Sequence, residues 1–252
     1  MQYFLSIWRR YSFGWRFLLG AAIACFFAIS TPAFEEDVSA RLPALAQYPL
    51  PGALAEWATT ETTDYFDEIE PSLLGYLLWS DFPVKVYHSP IALEASPSEQ
   101  RRQQQWQASV EQAIADWSPF LPLVTVTERD DADIVIERKS PPVQRSINPQ
   151  TGETEYSFAR NAVTTYQFYL DSDRILRHQI TIALSPHQGA IATETTARHE
   201  IGHGLGIWGH SSEEKDVMYF SQTTTAKSIT EADINTLKKI YQQQTRLGQK
   251  MP

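Results

Sequence analysis

Two histidines four residues apart with a glutamate behind the first, His199-Glu200-Ile201-Gly202-His203, are the side chains of this 252-residue chain best suited to chemistry. On a helix, residues four apart share a face, so two imidazoles can be offered to one zinc ion. Glu200 projects nearby without having to ligate. A carboxylate there can take the proton of a metal-activated water and pass it to a leaving amine. Gly206 stands where such a helix should stop, because glycine takes the left-handed conformation that reverses the chain. Reversal would bring His210 back as a third ligand; Glu213, Glu214 and Asp216 are the other candidates for that place. Met218 follows in Asp216-Val217-Met218-Tyr219 and suits a turn beneath the site.

HExxH by itself is a modest signal. The longer run resembles the metzincins and, within them, bacterial-type matrixins without a cysteine-switch propeptide, whose signature is HExxHxxGxxH followed by a methionine turn. His199, Glu200, His203, Gly206 and the Met218-Tyr219 pair match it, and His210-Ser211 and the closing stretch Ser228 to Tyr241 are matrixin-like too. Upstream, the strands agree only in order. There is one departure. The signature places its last histidine three residues after the glycine, but position 209 is Gly and the histidine is His210. Gly209 can absorb the extra residue as a bulge, with Trp208 packing outside the site.

The resemblance implies a zinc-dependent metalloendopeptidase that hydrolyses peptide bonds of extracytoplasmic proteins. It implies one Zn2+ on His199, His203 and His210, with Glu200 catalytic and Gly206 and Met218 as structural turns. A protein or peptide substrate would lie as an extended strand along an antiparallel edge strand within Phe158 to Leu170, and the protein would be a monomer. Two other readings compete. A non-catalytic, zinc-stabilised binding module derived from a protease has no use for Glu200, and a zinc hydrolase of a non-peptide amide is disfavoured by the methionine turn. Phe220-Ser221-Gln222 replaces the family's usual Pro-x-Tyr wall of the S1′ pocket, so substrate preference does not carry over.

The elements that must position these residues read as an α/β (α+β) order around one twisted mixed sheet. A strand is expected at 82–87, then a helix from Ser96 to Trp117, with Ser96-Pro97 at its start and Trp106, Val110, Ala113 and Trp117 on one face. Strands follow at 123–127 and 133–137, then a long polar loop from Lys139 to Glu155. A hairpin joins 162–170 to 175–184 across Asp171-Ser172-Asp173, giving the antiparallel edge strand. The active-site helix spans Ala190 to Leu205. A C-terminal helix runs from Glu231 to Gln243, capped by Thr230 with Asp233 three residues on.

Upstream, Arg9, Arg10 and Arg16 precede the apolar run Phe17 to Ile29, so residues 1–33 read as a signal peptide or, if uncleaved, as an anchor over 17–34. The protein is therefore expected to be exported, secreted or periplasmic, and at a membrane only through that anchor. Residues 34–72 read as an irregular extension ahead of a catalytic domain over 73–252. The only cysteine, Cys25, falls in the signal, so the mature chain would carry no disulfide and no thiol switch. The net charge of −9 becomes −12 without the three signal arginines, since 18 basic residues then face 30 acids. That balance excludes nucleic acid as an expected partner. His88, His178 and His187 lie at unrelated spacings and read as satisfied or solvent-facing. Calcium is compatible with the resemblance, but Asp130-Asp131-Ala132-Asp133 and Asp171-Ser172-Asp173 are better explained as turns.

Overall fold

The computed structural model describes residues 42–142, 160–221 and 226–252, with the backbone of 145–147 and 154–156. Residues 1–33, expected as a signal or anchor, residues 34–41 of the expected extension, and Gln222 lie outside the described residues. Among the described residues, no helix is long and apolar enough to cross a membrane.

The centre is a five-stranded sheet. It contains β2 (Val84–His88), β3 (Leu123–Thr125), β4 (Ile134–Arg138), β7 (Ala162–Leu170) and β8 (Leu176–Leu184), in the order β3-β2-β4-β8-β7. The first four are mutually parallel, and β7 runs antiparallel to β8 at the edge. Parallel strands covered by helices read as apolar runs, which is why Ile134, Ile136, Ile180 and Ile182 are all essentially buried. Facing pairs Ile134↔Ile180 and Ile136↔Ile182 set the β4–β8 register.

Helix α2 (Pro97–Trp117) begins as its sequence suggests, with the Ser96 hydroxyl accepting from Glu99 N–H and proline in the first turn. It buries Trp106, Val110, Ala113 and Trp117 against α3 (Ala190–Gly204). Helix α4 (Glu231–Tyr241) carries a complete capping box between Thr230 and Asp233 and buries Ile234, Leu237, Ile240 and Tyr241. The Tyr241 hydroxyl donates to the Leu205 carbonyl at 3.1 Å, which ties α4 to the end of α3.

Two stretches differ from the sequence reading. The polar segment 139–155, expected as a loop, contributes a small antiparallel pair, β5 (Arg145–Ile147) with β6 (Thr154–Tyr156). Three-residue strands are too short to show a period. Residues 42–72, expected as irregular, hold β1 (Ala46–Gln47), α1 (Gly52–Glu56) and a 3-10 turn at Phe66–Glu68. β1 pairs with β9 (Gln244–Thr245) near the far end of the chain, and Leu54, Tyr65 and Ile69 belong to the main core. Tyr65 is hydrogen-bonded to Asp233 and Thr236 of α4, some 170 residues away, where no local pattern points.

Candidate metal and catalytic site

Helix α3 supplies the first half of the site and its C-terminus the rest. Leu205 ends the helix and Gly206 follows at φ 122°, a left-handed torsion that favours glycine. The amide of Gly206 bonds to the His203 carbonyl, and the amide of Ile207 to Gly202 at 3.1 Å, the double closure of a Schellman motif. Beyond it the chain doubles back. Ser211 N–H then bonds to the Met218 carbonyl at 2.9 Å, and Ser211 and Tyr219 bridge in parallel. His210 is thereby carried over the helix face that holds His199 and His203.

The three imidazoles converge. Their ring centroids lie 4.8, 4.9 and 5.3 Å apart, and one nitrogen from each falls within 4.8 Å of the others. Among the described residues this is the one His/Cys/Asp/Glu cluster able to hold a metal ion. His199 Nδ1 lies 2.8 Å from the Val217 carbonyl, and His203 Nδ1 lies 2.6 Å from the Ile207 carbonyl. A carbonyl can only accept, so each Nδ1 carries the proton and each Nε2 keeps its lone pair for a metal. Burial, with His199 and His210 beside it, pushes His203 well below the ordinary imidazole range. Burial and His199 lower His210 to about 4. Both rings are neutral at pH 7, the form a metal requires.

The carboxylates considered for the third place do not join. Glu213 and Glu214 are exposed. Asp216 is buried but committed, accepting from Ser211 Oγ at 2.5 Å and Thr230 Oγ1 at 2.8 Å. Met218 lies directly beneath the helix, so that a Cβ on Gly202 would stand 2.4 Å from its sulfur. Glu194 pairs with Arg198 one turn on and stays outside the cluster. His178 is buried and stacked on Trp79, His187 is exposed, and His88 lies beside Glu111, so these three histidines share no site.

Glu200 is buried beside the cluster, and burial raises its pKa, an effect opposed by His199 and by the Thr164 hydroxyl that donates to Oε2. Thr164 sits on β7, so the sheet edge reaches the carboxylate. Its same-face neighbours Tyr166 and Phe168 continue the wall. Trp208 closes it, edge-on to Tyr166 at 4.8 Å and parallel to His203 at 5.8 Å between centroids. The expectation that Trp208 packs away from the site is corrected here, because the reversal at Gly206 turns the indole inward onto the ring of His203. Thr164 and the two accepting carbonyls left no mark in the sequence, since any residue supplies a carbonyl and threonine is ordinary in a strand.

The family profile described as Matrixin matches residues 89–242. Metalloendoproteinase 1 of Glycine max is 25% identical over 172 residues, covering 66% of this chain and 55% of that protein. The chain thus spans about half the length of that relative.

Proposed function

The chain belongs to the matrixin family, and from that premise we propose that it is a zinc-dependent endopeptidase cleaving extended segments of extracytoplasmic proteins. The observation that carries this reading is the pairing of three convergent imidazoles with a buried, proton-ready carboxylate one residue from the first of them. The donor set fits zinc: three neutral nitrogens, two of them oriented by backbone carbonyls. His199, His203 and His210 would hold it.

When bound, zinc supplies Lewis acidity, polarising the scissile carbonyl and making water acidic enough to lose a proton near neutral pH. The chain's residues do the rest. Thr164 holds Oε2 of Glu200, so Oε1 accepts the proton from water and later delivers it to the leaving amine. A carboxylate whose basicity is raised by burial suits both steps. The carbonyls of Val217 and Ile207 keep His199 and His203 in one tautomer throughout. β7 ends the sheet, so a substrate strand adding along it would gain main-chain hydrogen bonds and pass over Glu200. Export to a periplasmic or extracellular site is supported by the basic-then-apolar pattern of residues 1–33.

The test is Glu200→Gln. It should retain about one equivalent of zinc while peptide-library cleavage falls by about 10²- to 10⁴-fold. A variant that cleaves as fast as wild type removes Glu200 from the mechanism. A wild type that binds zinc and cleaves nothing turns the reading toward a binding module.

A further inference from the structure

The loop that carries His210 is braced from the opposite end of the chain. Gly209, the residue in excess of the family signature, does not have a left-handed torsion; among the described glycines only Gly75, Gly206 and Gly248 do. It is glycine for another reason. A Cβ there would lie 2.2 Å from the carbonyl oxygen of Glu68 and 2.8 Å from Cδ1 of Ile69. The backbone of the 3-10 turn Phe66–Glu68 therefore rests directly on the His210 loop.

The same segment reaches the site by a second route. The Tyr65 hydroxyl donates to Asp233 Oδ1 at 2.6 Å, and Tyr65 N–H donates to Thr236 Oγ1 at 3.0 Å. Asp233 also accepts from the amides of Val217 and Met218, at 3.1 and 3.3 Å. The Val217 carbonyl is the group that orients His199. Asn235 holds the segment from below through the carbonyls of Glu61 and Thr63, and Lys239 pairs with Asp64.

We propose that residues 64–69 form a positioning element of the metal centre, so that zinc retention depends on their docking against Gly209 and Asp233. The proposal rests on reading His199, His203 and His210 as the zinc ligands. Tyr65, Glu68 and Ile69 touch no reacting atom. They hold the loop of the third ligand and the turn that orients the first. Loss of such outer support weakens metal binding while the ligands themselves remain.

The experiment follows zinc transfer from the purified full chain to a chromogenic chelator at neutral pH, with thermal unfolding measured in parallel. Metal content of the wild type comes first; a wild type that retains no zinc overturns the ligand reading, and the proposal with it, before any variant is made. Gly209→Ala should release zinc about tenfold faster and Tyr65→Phe several-fold faster. Ile136→Val, a core change on β4, should release it at the wild-type rate despite lower stability. Wild-type release from folded Gly209→Ala and Tyr65→Phe overturns the proposal. Equal acceleration by Ile136→Val also overturns it, because zinc retention would then track stability alone. If Gly209→Ala does not fold, Tyr65→Phe decides.

Discussion

Two small residues of α3 allow close packing around the site. Gly202 lets Met218 lie against the helix, and Gly204 lets the helix settle on the sheet, with a Cβ there only 3.3 Å from Ile134 Cδ1. Gly202→Ala should crowd the Met218 sulfur and cost about 1–3 kcal/mol, as overpacking of a filled core does, read as a lower unfolding midpoint. His210→Ala should lose zinc to a mild chelator, whereas Glu213→Ala and Glu214→Ala should keep it, since both acids are exposed and outside the cluster. Retention of zinc by His210→Ala would return the third place to another residue.

Among the elements, the two ends of helices α3 and α4 bear on the site most. Gly206 has a left-handed torsion and its Cβ would meet the Leu77 carbonyl oxygen at 2.5 Å, so Gly206→Ala faces both strain and a backbone clash. It should destabilise by about 2 kcal/mol or more and lower zinc content, because the same reversal delivers His210. At the start of α4, Asp233 is fully buried and accepts from Thr230, Val217, Met218 and Tyr65 at once. Burial raises its pKa while these donors oppose the rise. Asp233→Ala would leave several donors unpaired and should cost about 2–4 kcal/mol in chemical denaturation, more than a surface helix cap.

For the molecule as a whole, the sheet's apolar packing sets an acid limit. His178 on β8 is buried against Trp79, and desolvation, with Arg177 adjacent, lowers its pKa to about 3 from an ordinary 6.5. Below pH 6.5 the unfolded chain takes up a proton here that the folded one refuses, so this group's share of stability falls as pH drops from 6.5 toward 3. His178→Phe keeps the stack and removes the titration. Its stability relative to wild type should improve steadily across that window in acid unfolding measurements, with the zinc removed to isolate the effect. Parallel curves would show that His178 does not titrate differently in the two states.

The sequence by itself determined whatever depends on local spacing. His199 and His203 share a face because a helix repeats every 3.6 residues, Glu200 comes with them, Gly206 ends the turn, and Thr230 with Asp233 starts α4. The parallel core strands and the β7–β8 hairpin were legible in the same way, from runs and turn residues. Only the tertiary structure decided what long-range closure brings together: Tyr65 on Asp233, Glu68 on Gly209, β1 on β9, Thr164 on Glu200, and Trp208 turned onto His203. These contacts join residues far apart in the chain, or side chains whose direction is set by a reversal. No periodicity encodes them, because each exists only once the sheet has placed both partners.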